Sequence, residues 1–529
     1  MLEQQLVGQA SSPEARTRPS PSRPDGAPPS LLSWDHDELL PLVDFGSGFP
    51  DLTGLDSAGS PYIDLRSSGL LTSDGGEVNS LPASPSSRGF LSRLQELNIS
   101  SLMRADLDQL YFDRVHPVLP ILHKQRYLSW ARQEDLSPPR VCLRLTMWAL
   151  ATAASAQSSH LEQTLCTEAR RGLEQLDANL HREQWTTGRT QFKQLQIENV
   201  QAWLLLAHYD FLRVHKEQAM LTAERAFRLV QLLQLDRIDS PSDTTVEGSG
   251  MLVDGAPSLR AQDETFIEAE EKRRAFWLAY CFDRLVAIYM ARPVRLHDEL
   301  ICTRLPVPEA DFQDAKPVRM EFLSAATCEA SQSRLCPFAE CIVLVTIYSR
   351  CVIHRGLAMA TMSCTAEAKG FWARHTWLAT VVERRLQLLM ESPSTASALI
   401  DPLLAFTHVL AHSIIIHLSV TSRLNPWQKM EYQLMEVEYE QRAFRASDEL
   451  VRLAKATPQL SCFKAHPFLP CAIAHAAGFL RAHAQGVNIV ESPDERQQDL
   501  REFLVALENL KEVNQLAQEV LRELERDPS

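Results

Sequence analysis

Glycine is scarce in this 529-residue chain: 19 residues, against 30 prolines. Average usage is about 7%, so the count is roughly half the ordinary one. Its placement is uneven, with ten of the nineteen within residues 1–90 and nine in the remaining 439. Glycine supplies the left-handed backbone positions of hairpins, bulges and phosphate loops. A large β-barrel, a doubly wound nucleotide fold and a collagen-like chain are thereby excluded, and long helices joined by few tight turns are expected. Lysine is absent until Lys124, and the first 90 residues carry twelve acids and five arginines. Over the whole chain 53 basic residues face 67 acids, net −14, which gives no global attraction to a phosphate backbone.

Other absences concern chemistry. None of the eleven cysteines forms a C-x2-C pair, so no zinc-ligand spacing is visible and no cofactor is expected. Most sit in apolar helical patterns, as in Cys341-Ile-Val-Leu-Val, and read as reduced core thiols. No apolar signal segment opens the chain, so secretion is not expected. There is no G-x-G-x-x-G, no G-x-x-x-x-G-K-[ST], no G-x-S-x-G and no H-E-x-x-H. His408 and His412 lie one turn apart but lack a third ligand, and read as a core or interface pair. The carboxylates Glu270 and Glu271 read as a solvated helix face. No catalytic residue is assigned and the chain is not expected to be an enzyme. Residues 403–420 have no Asp, Glu, Lys or Arg, yet three histidines interrupt them, so a buried central helix rather than a membrane span is expected.

What is present divides in two. Residues 1–90 hold eleven prolines, sixteen serines and ten glycines, and are expected to be a disordered acidic tail, because too little apolar surface is available to offset ordering entropy. Within it, 31–52 mixes Trp34, Leu39, Leu40 and Phe45 with five acids, the composition of an activation segment. A short helix docking on its own domain is the alternative. From about 91 to 526 the chain is expected to be all-α, a multi-helix bundle-like regulatory domain. Apolar residues recur at three-to-four spacing near 92–113, 138–156, 160–182, 194–213, 217–234, 265–290, 335–355, 368–391, 397–423, 428–456, 468–485 and 494–526. The last is read as one helix. Residues 236–264, rich in Ser, Asp, Thr and Gly, are expected to be a surface loop.

Two stretches carry more than periodicity. In 106–127, a helix ends in Tyr111-Phe112 and runs into Val115-His116-Pro117 and Leu119-Pro120-Ile121-Leu122-His123. The prolines bias residues 116 and 119 to extended conformations, giving an apolar crossing before a new helix at Lys124. In 268–306, Phe276, Trp277, Tyr280 and Leu285 are expected to share one apolar face. They follow Lys272-Arg273-Arg274, enclose the pair Asp283-Arg284, and end at Arg292-Pro293. The basic triplet reads as ion-pairing residues before it reads as a nuclear import signal.

In order and spacing these stretches resemble the middle homology region, the fungal-specific transcription factor domain. The resemblance rests on Tyr111-Phe112, His116-Pro117, Pro120-Ile121-Leu122-His123, then Arg273-Arg274-Ala275-Phe276-Trp277, Asp283-Arg284, Arg292-Pro293 and Leu305-Pro306, with the helices at 200–206 and 226–233 between. It implies a nuclear transcription regulator of a fungal metabolic gene cluster, of the secondary-metabolite kind among others. The partners implied are the transcription machinery or a related DNA-binding factor, with no membrane and with a homo- or heterodimer open. Family members usually begin with six cysteines holding two zinc ions, a pattern not found in this sequence. DNA association is therefore expected to be indirect, unless a zinc-cluster exon lies upstream. A cofactor or inhibitor of a full-length zinc-cluster factor is the alternative function.

Overall fold

The sequence puts strong start signals ahead of its helices. In the computed structural model Ser100 accepts the Met103 N–H at 3.2 Å and opens α1 (Ser101–Leu110). Thr265 and Glu268 exchange reciprocal bonds at 3.3 Å ahead of α7 (Phe266–Met290). Asp401 accepts two N–H groups ahead of α12 (Pro402–Ser422), whose first residue is proline. The structure describes residues 99–526 apart from 134, 156–158, 188–194, 241–264, 361–366, 392–400, 425–426, 428, 457–460 and 485–492. The expected tail at 1–90, its segment 31–52 and most of the expected loop at 236–264 lie outside the described residues.

The fold is all-α. Between α1 and α7 lie α2 (Lys124–Ala131), α3 (Pro138–Ala153), α4 (Ser159–Thr187), α5 (Ile197–Leu212) and α6 (Lys216–Leu232). After α7 come the short α8 (Glu309–Gln313) and α9 (Leu323–Ala326), then α10 (Pro337–Ala360) and α11 (Glu367–Met390). Beyond α12 follow α13 (Met430–Ala456), α14 (Leu469–Ala484), α15 (Pro493–Leu510) and α16 (Gln515–Arg526). Among the described residues no strand forms; one isolated antiparallel bridge joins Arg304 and Phe322.

Helices apolar on every side make the centre. Burial is continuous over Val141–Ala153 in α3, Ile197–Phe211 in α5, Arg274–Ala287 in α7 and Phe338–Ser349 in α10. These pack in chain order, α3 on α5, α5 on α7, α7 on α10, α10 on α12. The amphipathic α4, α6, α11 and α13 cover them. Both α10 and α12 are long and apolar enough to cross a membrane, and both are mostly buried within the bundle. A second core, built on Val409 and Ile416 of α12, gathers α13 to α16.

Three expectations change. The apolar residues of α7 do not share one face, because α5, α6 and α10 close on it from different sides. His116 is helical (φ −57°, ψ −35°), not extended: α1 runs on through a π-turn, Tyr111–Val115, and the His116 N–H bonds the Tyr111 carbonyl at 2.9 Å. The wider π ring accommodates what a proline at the next position disfavours in an α-helix. The straight crossing thus begins only at Pro120. The final helix is two: Asn514 accepts the Leu516 N–H at 3.0 Å and gives its amide to the Pro467 carbonyl at 2.9 Å, which starts α16 anew.

Scarce glycine leaves a mark here. Val214, Gln234, Ala291 and Ala315 hold left-handed φ of 50–61°, at or next to helix ends where glycine is usual. Both alanines are exposed. Ala291→Gly and Ala315→Gly are each expected to raise unfolding free energy by about 0.5–1 kcal/mol, measured by urea denaturation, because the relieved strain exceeds the entropy glycine adds to the unfolded chain.

Candidate functional site

The first half of α7 carries Glu270, Glu271, Lys272, Arg273 and Arg274, five charges in five residues. On a helix such a run spans most of the circumference, so part of it must face inward. The expected solvated face is not there: Glu270 is 0% exposed and Glu271 3%. Three segments without helical periodicity close over them: Pro120–His123 meets Arg274 and Glu271, Val307–Glu309 meets Arg274 and Glu270, and Asp239 meets Arg273.

Arg274 is the hub. Its Nε donates to Glu270 at 3.0 Å, Nη1 to the Pro120 carbonyl at 2.9 Å and to Glu309 at 2.5 Å, and Nη2 to the Val307 carbonyl at 2.7 Å. The guanidinium lies 4.1 Å from the centre of the Phe312 ring. Glu270 also accepts the Val307 N–H at 3.0 Å. Glu271 accepts the His123 N–H at 3.0 Å and pairs with Arg126 of α2. Burial pushes the Glu271 carboxyl up to about 7, against the pull of Arg126. Arg273 grips both oxygens of Asp239 at 2.9 and 2.7 Å, and Asp239 accepts the Arg304 N–H.

The second half of α7 repeats the device. Asp283 accepts the N–H groups of Arg295 and Leu296 at 2.9–3.0 Å and so turns the chain after the helix. Arg284 lies 3.2 Å from Asp283 and 3.5 Å from Asp298, which Arg350 of α10 holds at 2.9 Å. Trp277 gives its indole N–H to the Arg304 carbonyl at 2.6 Å, and Phe276 packs edge-on against it.

Of the residues marked in the sequence, the structure brings Pro120, Arg273, Arg274, Trp277, Asp283 and Arg284 into this network. Tyr111, Phe112 and His116 form an aromatic cluster beside it, with ring centres 5.3–6.4 Å apart, and Pro117 lies in the turn that follows. His116 Nε2 comes within 3.3 Å of Glu309, outside hydrogen-bond geometry. Burial, then Arg274 and Lys124, hold its imidazole down at about 3, so it is neutral there. Arg292 and Pro293 lie exposed past the helix end and join nothing described. Trp34, Leu39, Leu40 and Phe45 are outside the described residues. Sequence reasoning took Glu270 and Glu271 for solvated and did not mark Asp239, Asp298 or Glu309. Their one visible signal was the excess of acids around a basic triplet.

His408 and His412 are both buried on α12, facing Glu449 and Arg452 of α13. Among the described residues no three His, Cys, Asp or Glu side chains are placed to hold a metal.

Residues 109–384 match the fungal specific transcription factor domain. The chain is 40% identical over 448 residues to a transcription factor of Aspergillus terreus, covering 84% of this chain and 71% of the relative. It is 38% identical to the sorbicillinoid biosynthetic cluster transcription factor 1 of Penicillium rubens, covering 82% and 72%. To the pigment biosynthesis transcriptional activator pigB of Monascus ruber it is 35% identical, covering 82% and 76%. No solved structure matches the chain.

Proposed function

The chain belongs to the fungal specific transcription factor domain family, and from that premise we propose that it switches on a secondary-metabolite gene cluster, acting in the nucleus through its helical domain and protein partners. It is a transcription regulator. The observation that carries the reading is the overlap of two findings. The family match at 109–384 takes in the charge network of α7 and the segments it fastens, and the relatives over that span are named for cluster regulation or biosynthesis activation.

The role of α7 supports regulation rather than catalysis. Its charges bond to backbone and to each other, holding three connecting segments on one helix. With Arg273 and Arg274 turned to Asp239, Glu270 and Glu309, the 272–274 triplet is not an exposed import signal. Entry to the nucleus is assigned to other residues or to a partner. DNA association is proposed to run through a related DNA-binding factor unless a zinc cluster precedes this sequence, and 31–52 is proposed to contact the transcription machinery.

Transcript profiling of a deletion strain tests this. Transcripts of one contiguous set of biosynthetic genes are expected to fall together to background and to return on complementation. Complementation with Trp34→Ala/Phe45→Ala at equal protein level is expected to leave them low. Unchanged cluster transcripts in the deletion strain would remove the functional reading. Full rescue by the double variant would remove only the role of 31–52.

A further inference from the structure

We infer that the cleft between α1, α2 and the start of α3 binds a small amphipathic organic anion, a carboxylate carried on an aromatic or aliphatic body. The cleft is about 810 Å³, within the range of pockets that hold small organic ligands. Its walls bring together four cations, Arg104, Lys124, Arg132 and Arg144, in a chain whose net charge is −14. Asp108 is the one acid among its described lining residues.

That acid is already committed inward. Asp108 is buried and accepts from Tyr127 at 2.5 Å, from the Trp148 indole at 2.7 Å and from Arg144 at 2.9 Å. Arg144 gives a second N–H to the Ala131 carbonyl at 3.0 Å, and its Nε is buried without a partner. Asp108 and Arg144 therefore cancel each other at the floor. Arg104 donates Nε to the Ile99 carbonyl at 3.2 Å, and the Lys124 ammonium sits 5.4 Å from the centre of the Phe112 ring. Among the described residues no carboxylate pairs with Arg104, Lys124 or Arg132. Three positive charges thus face one concavity.

The apolar part comes from Phe112 and Leu128, which line the same cleft. A ligand charged at one end and apolar along its body satisfies both halves; a bare anion satisfies one. The negative field of the whole chain opposes an anion at long range, but salt screens it within about 8–10 Å, inside which the three cations dominate. A hollow between α12, α13 and α14 is apolar and about 40 Å³, room for only a few waters.

Calorimetric titration of the full chain with 1-naphthoate tests the inference. One saturable site per chain is expected. Lys124→Gln/Arg132→Gln changes exposed or half-exposed side chains, and is expected to weaken binding about tenfold or more, while Lys124→Arg/Arg132→Lys keeps it. The neutral 1-naphthalenemethanol and the bare anion acetate are each expected to bind at least about tenfold more weakly. Absence of saturable binding, or unchanged affinity in the Gln double variant, overturns the site. Equal affinity for the alcohol or for acetate overturns the amphipathic anion as its ligand.

Discussion

Arg274→Ala is expected to lower the unfolding free energy by about 3–5 kcal/mol, the range for removing one partner of a buried ion pair. The substitution strips a fully buried guanidinium from two carboxylates and two carbonyls at once. Glu270, 0% exposed, would keep the Val307 N–H and the distant Arg273, whose Nη1 is 3.6 Å away. The carbonyls of Pro120 and Val307 would lose this donor in a dry interior. Arg274→Lys keeps the charge but not the fork, so it recovers only part of the loss. Urea denaturation of the full chain measures both. A loss under about 1 kcal/mol for the alanine variant would place Arg274 among ordinary surface pairs and not at a hub.

Acid is expected to be as damaging. Burial holds the imidazoles of His208, His354, His412 and His475 down at about 4, and those of His116 and His375 at about 3. Unfolded histidine titrates near 6.5. These groups favour the folded state while neutral. Their contribution is complete above about pH 6.5 and is lost as pH falls toward the folded values, because the unfolded chain takes up protons that the folded one refuses. At pH 5 the gap from 6.5 is about 1.5 units, or about 2 kcal/mol for each independent histidine. His354 and His375, 3.2 Å apart, titrate as a pair and count for less than two. Glu271 works the other way: its raised carboxyl costs stability above pH 7 and returns it on protonation. Burial also raises Glu270, Asp283, Glu309, Glu340 and Glu436. Against these, burial lowers five more histidines, His123, His408, His417, His466 and His483. The melting temperature is expected to fall steeply between pH 6.5 and 5, with net proton uptake on unfolding. A flat profile over that interval would refute the burial of these imidazoles.

Helix type and the places of the long helices were legible because they rest on local periodicity; the short α8 and α9 and the division before α16 were not. The long helices lie close to where apolar residues repeat, and Lys124 begins a helix as its place after Pro120 suggests. What was not legible depends on what lies opposite. Glu270 and Glu271 look solvated until Pro120–His123 and Val307–Glu309 cover them, and neither of those segments has a period to announce its path. His116 shows the same limit in the backbone. The proline after it favours an extended residue, yet the π-turn gives His116 a hydrogen bond to Tyr111 that the local rule does not contain. The break before α16 depends on Asn514 reaching Pro467, 47 positions away. For the site, the motif residues were visible and half of their partners were not. Asp239 sits at the start of a stretch that otherwise reads as linker.

The reach of the long-range bonds sets a timetable for synthesis. His123 and Glu271 are 148 positions apart, Lys124 and Gln313 are 189, and Arg213 and Val513 are 300. At about 5–20 residues per second, a ribosome needs roughly 10–40 s to pass from α2 to the residue that fixes its first turn. Through that interval the nascent chain carries its apolar crossing and its future carboxylate partners unsatisfied. Neighbours in the chain such as α3 and α4, or α5 and α6, can pair as they emerge, but the crossing at Pro120–His123 cannot be fastened until α7 follows. The same long-range fastening that joins the finished bundle leaves the start of α2 without its partners until α8 has cleared the exit tunnel.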